Sequence, residues 1–291
     1  MDVIQQFEQY LVENGIAPKT IESYVGDVKA FAAYLAGMGV ENPADLKRFY
    51  IASYKNHLNE SKYAVATINK KINSLQAYNL FLIERQLATE LVVTLKKDRI
   101  KVAAGSEGEV EVFTEQEVNQ LLFFVQDEKR VSLRNRLIVW LLLYTGVRVS
   151  ELCGIQLSDI DYLTNTLRVT GKGGKYREIP LRSDLVDLIK EYVRTERQEN
   201  KHREGPFLLV SQRAERMHKD AVNTLLEGME KQLGFKMYPH KFRHTFCSRL
   251  LKKGVPLTTV SKLAGHAHIQ TTAHYYINTS KEEKEKAVAL L

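Results

Sequence analysis

Proline and glycine divide residues 237–276 into two short helices and a turn, and no other stretch of the sequence is so tightly constrained. Pro239 fits the first turn of a helix over about 240–253, which a glycine then ends. A second helix over about 257–263 ends at Gly265. The pattern predicts that the residue after Gly265 leaves from a turn rather than from the middle of a helix.

Two histidines, an arginine and a tyrosine lie along this stretch at spacings that suit one reaction on a phosphodiester. His240 and Arg243 share one face of the first helix, His266 follows the second glycine turn, and Tyr275 comes nine residues later. A tyrosine hydroxyl is a nucleophile, an imidazole can exchange its proton, and a guanidinium group pairs with phosphate oxygens. Together these side chains favour displacement at phosphorus.

A metal site is the alternative for the histidines, because His240 and His244 are four residues apart and three more histidines follow. The residues between the first two are Lys241, Phe242 and Arg243, so the pair lacks the glutamate of an H-E-x-x-H zinc helix. Fixed positive charges beside the pair repel a cation and attract an anion. We therefore expect neither a metal nor any other cofactor.

The order and spacing of six residues resemble the active-site signature of the tyrosine recombinase (phage integrase) family. An H-x-x-R sequence is followed by L-x-G-H and then by a tyrosine, and the sequences TGVRVSEL and GKGGKYREIPL lie upstream. The positions that match the family's catalytic residues are Arg148, Lys172, His240, Arg243, His266 and Tyr275. The resemblance extends over about residues 114–276.

The resemblance implies a site-specific DNA recombinase that cleaves and rejoins strands through a 3′-phosphotyrosyl intermediate, in the resolution or integration of DNA elements. Tyr275 would attack the scissile phosphate, His240 would accept its proton, and Lys172 would protonate the departing 5′-oxygen. The covalent link conserves the energy of the broken bond. Strand joining therefore needs neither a nucleotide nor a metal.

The other matched residues are expected to bind the phosphate. Arg148 and Arg243 would neutralise charge on its non-bridging oxygens, and His266 would donate a hydrogen bond. The partners that the resemblance implies are double-stranded DNA with paired recombinase-binding sites, a homotetramer on synapsed DNA and, in some systems, accessory proteins.

Two other classes of protein share part of this pattern. A type IB topoisomerase-like relaxing enzyme uses similar residues but exchanges no strands between partners in a tetramer. A non-catalytic DNA-binding regulator would need none of the six. Within the recombinase interpretation Tyr276 adjoins Tyr275, and the nine-residue step from His266 favours Tyr275 as the nucleophile.

Hydrophobic periodicity predicts a mainly α protein (α+β) with two domains. Residues 1–95 contain four helical patterns, and the resemblance implies that they form a core-binding bundle. Residues 96–112 have the composition of a linker. Residues 113–291 are predicted to form a helical catalytic domain with a small three-stranded antiparallel sheet. With 291 residues, of which 44% are hydrophobic, each domain can bury a core. The resemblance implies that the two domains close around DNA.

Two local predictions concern the catalytic half. Glu151, three residues after Arg148, is expected to form an internal salt bridge with that guanidinium group. The same contact is expected to orient Arg148 for binding phosphate. Three strands are predicted at 159–162, 166–170 and 176–180, and a fourth short strand at 206–210. Lys172 lies in the glycine-rich hairpin before the third strand, a sequence that by itself also suits an ordinary flexible turn.

The charge of the chain favours a polyanionic partner. Lysine and arginine outnumber aspartate and glutamate by 42 to 35, which gives a net charge of +7. Basic residues on the predicted exposed faces of the amino-terminal helices are Lys19, Lys29, Lys47, Arg48, Lys55, Lys62, Lys70 and Lys71. Such side chains are either simply solvated or contact DNA phosphates, and the resemblance favours the second interpretation.

The remaining features concern location and assembly. Cys153 and Cys247 are the only cysteines, and the longest aliphatic run, 137–144, is far shorter than the ~20 residues of a membrane span. We therefore expect a cytoplasmic protein with no membrane partner. A capping box at Ser280 starts a final helix that ends in AVALL, which docks either on its own domain or on a neighbouring protomer.

Overall fold

The chain forms two compact units, Met1–Glu107 and Gly108–Leu291. The computed structural model describes residues 2–101, 110–171, 174, 176–266, 268–273 and 288–289. Within these residues helices predominate and three strands form one sheet, so the predicted fold class is confirmed. None of the helices in the described ranges has both the length and the apolar character needed to cross a bilayer.

Four long helices and a short one form the described part of the first unit. They are α1 (Val3–Glu13), α2 (Pro18–Gly37), α3 (Arg48–Glu60), α4 (Val65–Glu84) and α5 (Leu95–Asp98). Aromatic side chains from three of them are fully buried, among them Phe7, Phe31 and Tyr78. The rings of Phe7 and Tyr78 meet edge to face with their centroids 5.2 Å apart, which fixes α1 on α4.

Two asparagine side chains attach the residues after α4 to that helix. Asn79 accepts a hydrogen bond from the backbone N–H of Val92 at 2.8 Å. Asn69 donates to the carbonyl of Ile100 at 3.0 Å and accepts from its N–H at 2.8 Å. Ile100, which the sequence assigned to the linker, is therefore held on α4 by a pair of hydrogen bonds.

One of the predicted surface lysines is mostly buried. Asp27 is only 5% exposed and accepts hydrogen bonds from Ser74 at 2.8 Å and from Lys71 at 3.1 Å. Lys70 Nζ lies 3.2 Å from the same carboxylate. The Lys71 side chain is only 13% exposed. Its charge is therefore paired with Asp27 inside the unit and is not displayed on the surface.

The second unit contains the sheet and the remaining helices. The helices are α6 (Glu115–Val125), α7 (Leu133–Thr145), α8 (Val149–Leu152), α9 (Ser183–Arg194), α10 (Lys219–Leu233), α11 (Pro239–Lys252), α12 (Leu257–Ala264) and α13 (Ile269–Ala273). A 3₁₀ turn, Leu157–Asp159, precedes the strands β1 (Ile160–Asp161), β2 (Thr166–Thr170) and β3 (Tyr176–Pro180). Neighbouring strands are antiparallel in the order β1-β2-β3.

Helix α7 lies in the middle of this unit and has no polar face. Its leucine, isoleucine and valine side chains between residues 137 and 143 are buried, and the helix packs against α9 and α11. On the sheet, Leu167 of β2 lies opposite Ile160 and Ile179, and all three are buried. Because most of this helix is buried, its carboxyl end has a fixed position, and Arg148 follows that end closely.

The strand predicted at 206–210 is wrong. Only Phe207 forms a bridge, with Gln156. The fully buried guanidinium group of Arg197 donates hydrogen bonds to the carbonyls of Gly205 and Phe207 at 2.7 and 2.9 Å. The carbonyl of Phe207 thus bonds to a side chain, and the segment pairs with residues 155–157 through one isolated bridge rather than joining the three-stranded sheet.

Residues 111–115 form a strap along α11. Its contacts in chain order are Glu111 with Tyr238 at 3.0 Å, Phe113 N–H with Thr245 Oγ1 at 2.8 Å, and Glu115 with Arg249 at 3.1 Å. Residues 113 to 115 span about 6.6 Å when extended, and the four-residue step along α11 spans about 6.0 Å. The strap and the helix therefore keep a common register at these positions.

Candidate active site

Arg148 is placed by the end of α7. Gly146 ends that helix in the left-handed conformation, with φ 60°. A Cβ at this position would overlap the ring of Phe246 on α11, so glycine allows the two helices to approach. Arg148 follows two residues later, where α8 begins, and its backbone N–H donates to Glu151 at 2.8 Å.

The carboxylate of Glu151 pairs with two arginines. Arg148 Nη1 donates to Oε1 at 2.8 Å, and Arg177 of β3 donates from Nη1 and Nη2 at 3.1 and 2.9 Å. Burial raises the pKa of Glu151, but the hydrogen bonds from Arg177 and Arg148 outweigh burial and hold that pKa below its usual value. The expected contact between Glu151 and Arg148 is confirmed, and the carboxylate is ionised at neutral pH.

The same two guanidinium groups reach the carboxyl end of α12. Arg148 Nη2 donates to the carbonyl of Gly265 at 3.0 Å, and Arg177 Nε donates to that of Leu263 at 2.8 Å. Gly265 has φ 67°, and a Cβ on it would lie 2.8 Å from Arg177 Nη1. Positive charge also suits the carbonyl end of a helix. Together with Glu151, these contacts join the ends of α7 and α12.

Arg243 on α11 is buried beside Arg148 with one donor left over. The residue is 3% exposed, and its Nη1 donates to the carbonyl of Gly146 at 2.7 Å. Among the described residues, Nη2 is buried and has no hydrogen-bond partner. Burial, and after it the charge of Arg148, lowers the pKa of Arg243 to about 10, so the group stays protonated at neutral pH. A buried cation with an unused donor is a site for an anion.

The two catalytic histidine candidates lie near these charges. Burial, followed by the charges of Arg243 and Arg148, lowers the pKa of His240. The same causes in the same order lower the pKa of His266 to about 4. Both imidazoles are therefore neutral at physiological pH, so each has one nitrogen able to donate and one able to accept.

His266 is tied to the following helix. Its Nδ1 lies 2.8 Å from the hydroxyl oxygen of Thr272 on α13. Thr272 is fully buried, and α13 packs against α12, the helix that precedes His266. The imidazole is thus held at Nδ1 by a hydroxyl group, which can either donate or accept a hydrogen bond.

Four of the six predicted residues lie together in the structure. Arg148, His240, Arg243 and His266 come from the ends of α7 and α12 and the start of α11. Lys172, Tyr275 and the alternative nucleophile Tyr276 lie outside the described residues. Arg177 and Thr272 also belong to the site, but the sequence did not single them out.

Metal ligands are a separate question. In the part of the chain that the structure describes, no group of three or more histidine, cysteine, aspartate or glutamate side chains is arranged to hold a metal ion. The rings of His240 and His244 have their centroids 6.1 Å apart. Lys241, between them in sequence, is 6% exposed and lies 3.9 Å from Glu117.

Comparison with known proteins identifies the family to which the chain belongs. Residues 111–283 match the phage integrase family, and residues 4–86 match the phage integrase N-terminal SAM-like domain. The chain belongs to the phage integrase family. It is a tyrosine-type site-specific recombinase, an enzyme that breaks and rejoins DNA strands.

Two curated relatives resemble the recombinase over nearly their whole length. The TnP I resolvase of Bacillus thuringiensis is 31% identical over 293 residues, which cover 100% of each chain. The tyrosine recombinase XerC of Pediococcus pentosaceus is 31% identical over 298 residues, 99% of this chain and 96% of that one. A crystal structure of the XerH site-specific recombinase bound to a palindromic difH substrate has the same fold, with a TM-score of 0.77 at 19% identity, over 98% of this chain and 84% of that one.

Proposed function

We propose that the recombinase cuts each strand with Tyr275 as the nucleophile and rejoins it to a partner strand. The other residues of the proposed active site are Arg148, Lys172, His240, Arg243 and His266. The observation that carries the proposal is the buried, protonated Arg243 with an unused Nη2 donor beside Arg148, which is a binding site for a non-bridging phosphate oxygen.

The proposed chemistry is a balanced exchange of one phosphodiester for another. The Tyr275 oxygen attacks phosphorus and transfers its proton to neutral His240, while the bond to the 5′-oxygen breaks and that oxygen takes a proton from Lys172. The products are a 3′-phosphotyrosyl link and a free 5′-hydroxyl. Rejoining reverses each step, with the 5′-hydroxyl of a partner strand as the attacking group.

Charge stabilisation comes from groups that the fold holds in advance. Glu151 and the Gly265 carbonyl fix two nitrogens of Arg148, and the Gly146 carbonyl fixes one nitrogen of Arg243. Because these donors are already oriented, little reorganisation is needed as negative charge grows on the phosphate oxygens.

We propose that two copies bind each recombination site and that four assemble when two sites synapse, with accessory proteins taking part where the site requires them. A structure of XerH on a difH substrate, in a post-cleavage complex, supports cleavage within a DNA-bound assembly. Domain boundaries of 1–95, 96–112 and 113–291 fit this plan, with lysines of the first domain on the DNA backbone. A DNA substrate supports a cytoplasmic location.

The test is covalent trapping. A duplex selected by the protein from a random-sequence pool is nicked near the cleavage position, so that the short cleaved strand diffuses away and the covalent complex accumulates. Wild type and Tyr276→Phe should form a complex that is resistant to denaturation. Tyr275→Phe should bind the same duplex with unchanged affinity and form none.

Other outcomes would assign the function differently. A complex that forms in Tyr275→Phe but is lost in Tyr276→Phe would make Tyr276 the nucleophile. Rapid relaxation of supercoiled DNA lacking the selected sequence, with no strand exchange between two sites, would favour the topoisomerase-like function. Binding without any covalent complex in wild type would favour a regulator.

A further inference from the structure

The hydrogen bond between His266 Nδ1 and Thr272 Oγ1 concerns the nitrogen that decides the tautomer of the imidazole. A neutral imidazole has one N–H and one acceptor nitrogen, and the partner of the first nitrogen sets the role of the second. A backbone carbonyl or a carboxylate only accepts, so it would place the hydrogen on Nδ1. The partner here is a hydroxyl, which can donate to Nδ1 and leave the hydrogen on Nε2.

The surroundings favour the hydroxyl as donor. Thr272 is fully buried, and the imidazole 2.8 Å away is the one hydrogen-bond partner recorded for its Oγ1 within the described ranges. A hydroxyl hydrogen in a site that excludes water is stabilised by pointing at an acceptor. An imidazole that meets a phosphate oxygen through Nε2 must donate, because two acceptors repel.

We propose that Thr272 is a positioning residue that holds His266 in the Nε2–H tautomer, so that its ring donates to the scissile phosphate. The inference rests on the proposed function, in which His266 binds the phosphate. Thr272 is in α13, three residues before Tyr275, and α13 packs on α12. The donor that fixes the phosphate-binding ring therefore arrives with the segment that carries the nucleophile, which couples the two parts of the active site.

The test compares Thr272→Val, which keeps the shape and loses the hydroxyl, with Thr272→Ser, which keeps the hydroxyl. On the nicked selected duplex at saturating protein, Thr272→Val should cleave about tenfold more slowly, the loss expected for one hydrogen bond that is needed in the transition state. Thr272→Ser should remain within about twofold of wild type. Thr224→Val, which removes an exposed hydroxyl from α10, should leave the rate unchanged.

A second background separates positioning from support of the fold. Adding Thr272→Val to His266→Phe should cause no further slowing, because the ring through which the hydroxyl acts is gone. The same tenfold slowing in both backgrounds would overturn the proposal and leave Thr272 as a structural support for the nucleophile segment. No slowing in the wild-type background would overturn it too.

The tautomer itself can be read from the ¹⁵N shifts of labelled histidine, with His266 assigned from its variant. Wild type and Thr272→Ser should show an unprotonated Nδ1 and a protonated Nε2, and Thr272→Val should show a mixture. A protonated Nδ1 in the wild type would overturn the proposal. None of these results depends on which tyrosine attacks, so a failure of the nucleophile assignment is distinguishable from a failure of this inference.

Discussion

Glu151 shows how one buried carboxylate organises several cations. Its side chain is 5% exposed and accepts hydrogen bonds from Arg148 and Arg177. Loss of that negative charge would leave the guanidinium groups of Arg148 and Arg177 without the carboxylate that they share. Removing one partner of a buried ion pair lowers the free energy of unfolding several times more than removing one partner of an exposed pair.

We therefore predict unequal costs for two similar substitutions. Glu151→Gln should lower the free energy of unfolding by about 3 kcal/mol at pH 7. The control is Glu115→Gln, which removes a similar double contact with Arg249 from a carboxylate that is 65% exposed, and it should cost about 0.5 kcal/mol. Urea unfolding of the three proteins measures both differences, and equal costs would contradict the assignment of Glu151 as a buried pair.

The direction of the pH effect follows from the lowered pKa of Glu151. A carboxylate whose pKa is lower in the folded state contributes stability above its unfolded pKa, and loses it as the pH falls through the folded value. The difference between wild type and Glu151→Gln should thus be full at pH 7 and should shrink below about pH 4. A difference that widens in acid would contradict the sign.

The proposed role of Lys172, protonation of the departing 5′-oxygen, gives a further prediction. An alkoxide is a poor leaving group and a thiolate a good one, so Lys172→Ala should cut a normal duplex on the order of a hundredfold more slowly. Replacing the bridging 5′-oxygen by sulfur should restore most of that rate. Rescue of Arg243→Ala by sulfur, without rescue of Lys172→Ala, would show that the lysine is not the acid.

The fold brings together four side chains that could be found from the sequence. His240, Arg243 and His266 stand out by residue type and spacing, and Arg148 was found through the family resemblance of TGVRVSEL. Arg177 did not stand out, since an arginine in a short strand usually points to solvent. Thr272 was missed for a similar reason, because whether a threonine hydroxyl faces an imidazole depends on how α13 packs, which no local pattern records.

Among the structural elements, glycine at helix ends decides where the active-site residues point. Gly254 and Gly265 both have left-handed backbones, with φ of 80° and 67°. A Cβ on Gly254 meets nothing within 4 Å, whereas one on Gly265 meets the guanidinium group of Arg177. An alanine at either position would adopt a strained left-handed backbone, and only the alanine at position 265 would also collide with Arg177.

This difference makes a matched pair of variants. Gly254→Ala and Gly265→Ala should each lose about 1 kcal/mol of stability from the left-handed conformation. Only Gly265→Ala should also lose cleavage, by tenfold or more. The added Cβ would displace Arg177 from Glu151 and shift the Gly265 carbonyl, and both Glu151 and that carbonyl orient Arg148. Thermal melts and rates on the nicked duplex give the two readouts. Equal loss of cleavage in both would mean that the collision has no part in catalysis.

Local signals predicted the helices and strands wherever those signals were strong. Proline and glycine predicted α11 and α12 to within a residue, and β-branched runs predicted β2 and β3. The prediction of a strand at 206–210 failed because the pairing with residues 155–157 is limited to one bridge, and the buried guanidinium group of Arg197 takes the carbonyl of Phe207. Tertiary hydrogen bonds of this kind leave no trace in a periodicity.

For the whole molecule, the carboxyl-terminal tail gives a prediction about assembly. Residues 280–287, 290 and 291 lie outside the described part of the chain, so docking on the same protomer and on a neighbour both remain hypotheses. Truncation after Thr279 should leave thermal stability and single-site binding unchanged and should weaken formation of the complex between two sites. A fall of several degrees in melting temperature, with assembly unchanged, would mean that the tail docks on its own protomer.

The strap of residues 111–115 has a consequence for modular exchange of recombinase halves. A chimera that joins a foreign amino-terminal half to this carboxyl-terminal half inherits the register between the strap and α11 only if the junction lies before Glu111. A junction three or four residues later would replace Glu111, the partner of Tyr238, and Phe113, whose ring packs against Phe242 on the helix that carries His240 and Arg243. The unit that evolution or an engineer can transplant thus begins several residues before the first helix of the catalytic half.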